Sequence, residues 1–505
     1  MRKFDILRER WQGVVHRFKL TSNMQATILL AITNSVAAIS SSAAPRVAIV
    51  GGGIGGAATA HFLAELRPDV QIDVFEALPN IGGRAHTLDA SVFGVPLDAG
   101  ATDIFSKNKY LVSFVERFGL AKAVESGKDV IGLWDGNGFR FQWPDTALLP
   151  ARILARYGPS PLHVIKAVDD AVGRLLRIYD LQERNVSFAS PEALFDALQL
   201  TNLTQHDARS YFEGTLHVAP KFVDEFVTGA SRDNYNQGSA INAFVDLVSL
   251  AGAGIGGTIF SLANGTTPLV AALLSTSPHV TVHTSTPVAS ISRAATDRGF
   301  AVTLGAAGRE ATAASSHYDA VALATPLERS TGLHLHTPPA TLNSTRPYQR
   351  TCVTFVSGRV DGRYFGLGAG DEPPTEMLTV ENASLPMSTL AVHATLANGT
   401  RVFKLFSKTP IDEPTLDAIF RTRHRTRRLD WPAAYPKLNP TPAATTWPPF
   451  EVPLGGERAD VDARVKGRGG RPLVYVNAME SAVSCMETQV IAAKNAALRI
   501  VRLLD

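Results

Sequence analysis

The chain has 505 residues, 45% of them hydrophobic and 19% charged, so it can bury a large core and is too long for one simple domain. Its net charge of +3 is close to neutral, which argues against a nucleic-acid-binding function carried by overall positive charge. Two cysteines, Cys352 and Cys485, are too few for a disulfide scaffold or a cysteine-based metal cluster, and no metal site is predicted. Whether these two cysteines pair with each other is left open.

Residues 1–45 have the pattern of a targeting segment. Six basic residues among the first 25 precede an apolar run from Ala26 to Ile39, and small residues and serines follow up to Pro45. The run of about fourteen residues is shorter than the ~20 that a membrane-spanning helix needs, so a signal peptide with a long basic lead is predicted. An organelle transit peptide is the alternative, because the lead is rich in arginine.

N-x-[ST] motifs favour the secretory route. The motifs begin at Asn185, Asn202, Asn264, Asn343, Asn382 and Asn398. At ordinary Ser and Thr usage, the asparagines of this chain would give about two or three such motifs by chance. We therefore predict entry into the secretory pathway.

The stretch from Val47 to Glu76 has the pattern of a dinucleotide-binding βαβ unit. An apolar strand runs into a glycine turn, a helical segment follows to Leu66, and a second strand ends at Glu76. The turn fits G-x-G-x-x-G, whose glycines allow a tight turn, approach of backbone to a pyrophosphate and close helix packing. Glu76 is placed to accept hydrogen bonds from a ribose. The candidate phosphate-binding residues are Gly51, Gly53, Gly55 and Gly56.

A second glycine turn, Gly82-Gly83-Arg84, follows the acidic residue. It resembles the G-G-R segment of FAD enzymes of the amine oxidase and glutathione reductase type, where that segment lies along the phosphate and ribitol side of the flavin. This resemblance implies FAD as the cofactor; the alternative is an ordinary glycine loop with a solvated arginine. The strand and turn from Val95 to Ala101 would let a flavin ring approach Gly100, although a plain turn fits that segment equally well.

The middle of the chain is predicted to be helical. Apolar residues recur at helical spacing between Leu162 and Tyr179, and Ser190-Pro191-Glu192 has the pattern of a helix start. These apolar stripes are most simply core, and together they could line a long apolar pocket. Arg232 lies in this region as a candidate partner for a carboxylate, with a surface ion pair as the alternative.

After residue 252 the pattern of the dinucleotide domain returns. Short strands are predicted near Val280, Val288 and Phe300, and Tyr318–Leu327 is predicted to end a further strand at the carboxyl edge of the sheet, where ligands bind. Val288 would offer backbone groups to the adenine. From about residue 335 to residue 470 the chain is strand-like and is predicted to cover the flavin. The basic run from Arg421 to Arg428 is predicted as a solvated helix face, with a lipid or membrane contact as the alternative.

The C-terminal segment is predicted to complete the cofactor site. Residues 473–480 are predicted as a strand, and Ser484-Cys485-Met486-Glu487 as a capping box that opens a helix. The N-terminus of this helix, with Met486 and Glu487, can face the flavin N1–C2=O edge and stabilise negative charge there. Cys485 is interpreted as a packed small residue, with thiol redox chemistry as the alternative.

From about Arg46 to Leu503 the chain resembles the prenylcysteine oxidase (prenylcysteine lyase) family. The more specific matches lie at residues 56–76, 176–179, 202–206, 222–225, 249–252, 364–366 and 492–498. The chain departs from the family at residues 263–266, where G-G-N is usual, and at Ser481, where tryptophan is usual. The resemblance implies an α/β fold, with an amine-oxidase-like FAD-binding Rossmann domain and a mixed helical and β-sheet substrate domain.

The resemblance also implies an activity. Enzymes of this family cleave S-farnesyl- or S-geranylgeranyl-cysteine to prenyl aldehyde, cysteine and hydrogen peroxide, using O2 and water, in the breakdown of prenylated proteins in lysosomes or vacuoles. No catalytic residue is assigned, because the cofactor carries the hydride transfer. A flavin oxidase of an amine or a polyene and a non-enzymatic lipid-binding flavoprotein are the alternatives.

The predicted organisation follows from these segments. Residues 1–45 form the targeting segment, and residues 46–130, 253–332 and 471–505 form the FAD-binding domain. Residues 131–252 form a helical cap over the substrate, and residues 333–470 form the sheet of the substrate domain.

Overall fold

The computed structural model describes residues 44–123, 130–143, 147–294, 299–305, 315–330, 332–336, 346–368, 370–440, 447–452, 454 and 473–504. The predicted targeting sequence up to residue 43, the motif at Asn343 and the predicted surface loop at 455–470 lie outside these residues.

The strands of the described residues are numbered in chain order. They are β1 (Arg46–Val50), β2 (Gln71–Phe75), β3 (Thr87–Leu88), β4 (Leu97–Asp98), β5 (Ile104–Phe105), β6 (Ile131–Trp134), β7 (Phe139–Trp143), β8 (Ile259–Phe260), β9 (Val280–His283), β10 (Val288–Arg293), β11 (Phe300–Leu304), β12 (Ser316–Tyr318), β13 (Ala320–Leu323), β14 (His334–Leu335), β15 (Tyr348–Val360), β16 (Glu376–Thr379), β17 (Thr389–Thr395), β18 (Arg401–Ser407), β19 (Phe420–Pro436) and β20 (Leu473–Tyr475).

The α-helices are numbered in the same way. They are α1 (Ile54–Leu66), α2 (Ala90–Phe93), α3 (Lys109–Arg117), α4 (Leu149–Tyr157), α5 (Ser160–Glu183), α6 (Pro191–Leu198), α7 (Thr201–Gln205), α8 (Ala208–Ser210), α9 (Pro220–Phe222), α10 (Thr228–Tyr235), α11 (Ala243–Gly252), α12 (Thr267–Leu274), α13 (Glu413–Ile419) and α14 (Met486–Leu504). None of the described helices is both long enough and apolar enough to cross a membrane.

A five-stranded parallel sheet with the order β20-β13-β1-β2-β9 organises the cofactor side of the molecule. Its central strands are short apolar runs that are almost entirely buried, as a parallel sheet covered by helices requires. Helices α1 and α14 pack against each other beside it. Strands β1, β2 and β13 end at Val50, Phe75 and Leu323, so the residues that follow them meet at one edge, where open α/β sheets bind ligands.

A seven-stranded sheet with the order β19-β15-β18-β17-β16-β6-β7 forms the second layer. Strands β6 and β7 come from residues 131–143, so the segment predicted as a helical cap from residue 131 begins with a β-hairpin instead. Strand β6 pairs in parallel with β16, Ile131 lying opposite Glu376. Strand β6 is stabilised by β16, about 240 residues further along the chain, and β7 pairs with β6 at the edge of the sheet, which is why local spacing did not reveal them.

The basic run at residues 421–428 was predicted to form a helix face, and this is wrong. It lies in β19, an edge strand paired antiparallel to β15, with Val353 opposite Leu429. Its side chains are largely exposed, and Arg423 and Arg428 form ion pairs with Glu413 of α13. Charged side chains on an edge strand discourage pairing with other chains, which explains this composition.

Helices α4 to α11 fill most of residues 149–252, as the apolar spacing predicts. Helix α5 is the longest of them, and Val164, Val168 and Ile178 on one side of it are fully buried. The helix start predicted at Ser190 is confirmed, because the Ser190 hydroxyl accepts a hydrogen bond from the Ala193 N–H. The strand predicted at residues 473–480 is shorter than expected: β20 ends at Tyr475 and a 3-10 helix, Val476–Ser481, follows.

Candidate active site

The glycine turn after β1 has the geometry that a dinucleotide site needs. Gly51 has φ +110°, and a Cβ there would lie 2.6 Å from the Ala324 carbonyl oxygen. A Cβ on Gly56 would lie 1.9 Å from the Gly51 carbonyl oxygen, so only glycine lets α1 start so close to the strand. Gly51, Gly53 and Gly55 line a cavity of about 850 Å³, and Gly56 lies behind them as a packing residue.

Glu76 stands at the carboxyl end of β2, where the sequence predicts it. Its side chain is 8% exposed and its carboxylate accepts hydrogen bonds from the N–H groups of Gly52, at 2.8 Å, and Leu78, at 2.9 Å. Both donors belong to the backbone, so they fix the carboxylate on the cavity wall and leave lone pairs for a diol. The Thr286 N–H donates to the Glu76 carbonyl at 2.9 Å. This hydrogen bond holds the chain that leads into Val288, another residue of the cavity wall, beside Glu76.

The second glycine turn packs against the first. The Gly82 N–H donates to the Gly52 carbonyl at 2.9 Å, and Gly82 and Gly83 both have positive φ. Arg84 is not a solvated arginine, because its guanidinium forms an ion pair with the fully buried Glu480 and donates to the Ala434 carbonyl at 2.9 Å. Burial opposes its charge, but Glu480 together with Tyr348 and Tyr435 outweighs this effect, and the pKa of Arg84 is raised.

The segment around Gly100 forms part of the cavity wall. Ala99, Gly100 and Ala101 all line the cavity. A Cβ on Gly100 would lie 2.0 Å from the Arg84 carbonyl oxygen, which also accepts a hydrogen bond from the Ala101 N–H at 3.1 Å. Glycine is therefore required at this position, and the flat wall that results suits an aromatic ring.

The start of α14 corrects one prediction. Met486 lines the cavity, but Glu487 does not. The Glu487 carboxylate accepts hydrogen bonds from the N–H groups of Tyr110, at 2.9 Å, and Leu111, at 3.0 Å, in the first turn of α3. It thus caps another helix rather than its own, and the predicted capping box does not form. Burial outweighs these hydrogen bonds and raises the pKa of Glu487 to about 7.

Apolar side chains form one wall of the cavity beyond the glycine turns. Helix α5 contributes Val172, Leu175 and Leu176, and helix α11 contributes Val248 and Ala251. Phe105 and Ile259, from the paired strands β5 and β8, also line the cavity. The long apolar pocket expected from the helical stripes is therefore present.

A polar wall faces the same cavity, and sequence reasoning did not identify it. It is formed by Asp103, Asp233, Thr389, His393 and Lys404. The Lys404 ammonium donates to the Gly100 carbonyl and the Thr102 hydroxyl, both at 3.2 Å. A lysine in the middle of the buried strand β18 is the sequence signal that could have pointed to it.

Burial shapes the charges of this wall. Burial lowers the pKa of Lys404, and the nearby carboxylates of Asp98, Asp103 and Asp233 oppose this effect. Desolvation by the surrounding protein raises the pKa of Asp103, although its side chain is open to the cavity space, and desolvation raises the pKa of the half-buried Asp233 to about 6. Burial and the Lys404 charge together lower the pKa of His393 to about 3, so this imidazole is neutral at physiological pH.

Three other candidates from the sequence are Arg232, Ser481 and Cys485. Arg232 and Ser481 lie outside the cavity wall, and Cys485 is a thiol in that wall. Arg232 is buried, donates to the Thr379 hydroxyl at 3.0 Å and forms an ion pair at 3.5 Å with Glu381, whose side chain is exposed. It does not line the cavity, so the ion-pair alternative is the one that the structure supports. The Ser481 hydroxyl accepts from Arg346 at 3.0 Å, also outside the cavity wall. Cys485 lines the cavity as a free thiol, and its burial raises its pKa, which supports the packed interpretation.

Comparison with known proteins agrees with this geometry. A family model described as an NAD(P)-binding Rossmann-like domain matches residues 49–118, and the prenylcysteine lyase model matches residues 145–452. Farnesylcysteine lyase of Arabidopsis thaliana is 29% identical over 475 residues, 90% of this chain and 88% of the relative. Prenylcysteine oxidase 1-like of Homo sapiens is 29% identical over 501 residues, 94% of each chain.

Solved structures show the same fold at low sequence identity. Cyclohexylamine oxidase from Brevibacterium oxydans superposes with a TM-score of 0.59 at 15% identity, covering 91% of this chain and 99% of the other. Putrescine oxidase bound to putrescine gives a TM-score of 0.57 at 14% identity with the same coverage. The predicted amine-oxidase-like α/β fold is confirmed. Because the prenylcysteine lyase model matches more than half of the sequence, the chain belongs to the prenylcysteine lyase family.

Proposed function

We propose that the protein is an FAD-dependent oxidase that cleaves the thioether of S-farnesyl- or S-geranylgeranyl-cysteine. The products are the prenyl aldehyde, cysteine and hydrogen peroxide, and O2 and water are consumed. The observation that carries the proposal is one continuous cavity that runs from the glycine turn to the apolar wall of α5 and α11, in a chain of this family. Its volume of about 850 Å³ lies in the range of small-molecule and cofactor sites.

The residues on the cofactor side fit FAD. The N–H groups at the start of α1 and the bare Cα atoms of the glycine turn suit a pyrophosphate, and Glu76 suits the ribose hydroxyls. Gly83 and Arg84 border the next part of the path, and the wall at Gly100 admits a flat ring. When bound, the flavin supplies the acceptor for a hydride from the prenyl C1 and returns the electrons to O2.

The rest of the chemistry depends on how the chain holds the substrate. Leu175, Leu176 and Val248 present apolar surface to a prenyl tail, and each buried methylene stabilises binding by about 0.8 kcal/mol. The same side chains would shield a bound thioether from bulk water, while the wall at Lys404 makes another side of the cavity polar.

A substrate panel tests this proposal. Holoprotein in air is mixed with S-farnesylcysteine, S-geranylgeranylcysteine, primary amines and a polyene, and aldehyde and peroxide are quantified. We expect equal amounts of prenyl aldehyde and peroxide from the two prenylcysteines, and neither from the other compounds. Turnover of an amine or polyene with no turnover of either prenylcysteine would contradict the proposal.

We also propose a peripheral contact with lipid at the surface of α4 and the start of α5. Leu148, Leu154, Leu162 and Ile165 are 69, 59, 65 and 41% exposed, and the exposed cations Arg152 and Lys166 lie among them. Residues 162, 165, 172 and 176 follow helical spacing, so this surface and the cavity-lining side chains share one face of α5. A lipid-tailed substrate could then pass from an anionic bilayer to the cavity.

Vesicle flotation tests the lipid contact. Flotation with anionic vesicles should fall in Leu154→Ser/Leu162→Ser and should be retained in Val186→Ser, a control at a separate exposed apolar residue. Equal flotation of the two variants would contradict the contact.

We further propose that the protein enters the secretory pathway and reaches a lysosome or vacuole. Of the described N-x-[ST] motifs, those at Asn185, Asn202, Asn264 and Asn398 have exposed asparagines, as glycosylation requires. A mobility shift on treatment with an N-glycan-removing enzyme is expected. Absence of glycan together with import into an organelle would support the alternative route.

A further inference from the structure

The polar wall of the cavity contains more negative than positive charge. The wall holds two carboxylates, Asp103 and Asp233, and these, together with Asp98 behind the wall, act on the single ammonium of Lys404. The neighbouring His393 adds no positive charge at physiological pH. Asp103 is exposed to the open space of the cavity and Asp233 is half-buried, so a ligand that covers them has to supply a cation or hydrogen-bond donors, because desolvation of an unpaired carboxylate is costly.

The three carboxylates differ in how the protein satisfies them. Asp98 accepts from the Thr87 hydroxyl, at 2.7 Å, and from both the N–H and the hydroxyl of Thr266, at 2.9 and 3.0 Å, and it does not line the cavity. Asp233 lines the cavity beside Thr389, whose hydroxyl donates to the Met377 carbonyl at 3.3 Å. Asp103 also lines the cavity, and no donor among the described residues hydrogen-bonds to its carboxylate. The two incompletely satisfied carboxylates are therefore those that face the open space.

The Lys404 ammonium already has hydrogen-bond partners within the protein. Its ammonium donates to the Gly100 carbonyl and the Thr102 hydroxyl, which holds it beside the backbone that carries Asp103. Asp98 is satisfied by its own hydrogen bonds, so one ammonium faces the two carboxylates of the cavity wall, and a second cation can bind beside them. The apolar wall of α5 and α11 lines another part of the same cavity, so a ligand with an apolar tail and a cationic head matches both surfaces.

We propose that Asp103 and Asp233 bind the α-ammonium group of the cysteine part of the substrate. This inference rests on the proposed function and assigns the two ends of the substrate: the prenyl tail lies along α5 and α11, and the amino acid lies on the polar wall. Lys404 is a positioning residue, since it fixes the Gly100–Thr102 backbone next to Asp103. Asp103 and Asp233 therefore select thioethers that carry a free amino group.

Equilibrium binding to the holoprotein under anaerobic conditions tests the assignment without turnover. The probes are S-dodecylcysteine, whose saturated chain lacks the allylic double bond, and 3-(dodecylthio)propanoic acid, which is the same compound without the amino group. The variants are Asp103→Asn, Asp233→Asn and their combination. Asp170→Asn, an exposed carboxylate on α5 outside the cavity, is the matched control. FAD content and thermal unfolding are measured for each protein.

We expect the wild type and Asp170→Asn to bind S-dodecylcysteine about tenfold more tightly than 3-(dodecylthio)propanoic acid. This is the gain in affinity that one charge-assisted hydrogen bond provides. The double variant should bind both compounds with similar affinity. Equal affinity in the wild type, or a preference that persists in the double variant, would overturn the assignment while leaving the proposed function intact. If neither compound bound the wild type, the assignment would fail, whereas the proposed function would be decided separately by turnover of S-farnesylcysteine. If the double variant does not fold, the single variants decide: Asp103→Asn and Asp233→Asn should each reduce the preference for the amino compound, and an unchanged preference in both would overturn the assignment.

Discussion

The hydroxyl of Tyr179 donates a 2.6 Å hydrogen bond to the carboxylate of Glu487, which lies 308 residues further along the chain. Tyr179 stands on α5, in the helical region that lines the apolar part of the cavity, and Glu487 stands on the first turn of α14, next to the cofactor side. The same carboxylate caps the start of α3. One buried acid therefore joins three helices around the cavity.

Replacement of Tyr179 should lower the free energy of unfolding of the protein. Tyr179→Phe removes a hydrogen bond to a buried carboxylate, so the free energy of unfolding in urea should fall by about 1–3 kcal/mol. Tyr211→Phe is the control, because no side-chain hydrogen bond of the Tyr211 hydroxyl is found among the described residues. If the free energy of unfolding fell equally in Tyr179→Phe and Tyr211→Phe, the hydrogen bond to Glu487 would make no specific contribution to stability.

Asp246 should make stability depend on pH. It is fully buried on α11, accepts one hydrogen bond from Ser231 at 2.7 Å, and burial raises its pKa from 3.8 to about 7. At pH values between these two pKa values, Asp246 is protonated in the folded protein and ionised in the unfolded chain, so the folded state binds more protons. The stability that Asp246 contributes is therefore complete below the unfolded pKa and declines as pH rises to about 7, by up to ~1.4 kcal/mol per pH unit.

Asp246→Asn isolates this effect. The decline in the free energy of unfolding between pH 5 and pH 7 should be shallower in the variant, whereas the exposed control Asp170→Asn should follow the wild type. Parallel curves for Asp246→Asn and the wild type, measured by urea titration at several pH values from about 4 to about 8, would contradict the assignment.

Gly100 should be indispensable for cofactor retention. In Gly100→Ala the new Cβ would lie 2.0 Å from the Arg84 carbonyl oxygen, so the wall that borders the proposed flavin site must move. We expect purified Gly100→Ala to contain several-fold less FAD than the wild type. Gly173→Ala is the matched control, since a Cβ there, within α5, meets no atom within 4 Å and alanine favours a helix. Wild-type FAD content in Gly100→Ala would be evidence against the proposed ring position.

The apolar wall should determine activity toward long prenyl chains. Leu176→Ser places a hydroxyl on the proposed tail surface, so kcat/KM for S-geranylgeranylcysteine should fall about tenfold. The value for a cysteine thioether with a short allyl group should change much less, because that group does not reach the wall. Val186→Ser, outside the cavity, controls for general damage. An equal fall in kcat/KM for the geranylgeranyl and the allyl substrates would argue against a contact between the prenyl tail and Leu176.

The parts of the fold that rest on local chemistry were predictable from the sequence. The turn at Gly51–Gly56 needs glycines for backbone reasons, and Glu76 follows at the spacing set by one helix and one strand, so both features are local. Strands β6 and β7 were missed because β6 is held by β16, far along the chain. The arginines of β19 were interpreted as a helix face because charge alone does not distinguish an exposed helix from an edge strand.

The polar wall depends on contacts that no local pattern encodes. Asp103, Asp233, His393 and Lys404 belong to four separate segments that meet only in the folded chain. Glu487 was assigned to the cofactor because it lies in the first turn of α14, but a carboxylate at a helix N-terminus can equally serve a neighbouring helix, as it does at Tyr110. In both cases, tertiary contacts determine what the side chains bind.

Anaerobic mixing of the purified holoprotein with S-farnesylcysteine is the most direct test of the central claim. The flavin absorbance near about 450 nm, a property of the oxidised cofactor, is followed with time. The account predicts that this band bleaches, and that farnesal and hydrogen peroxide accumulate in step once air is admitted. A flavin that stays oxidised with S-farnesylcysteine and S-geranylgeranylcysteine, in a protein that retains FAD, would contradict it.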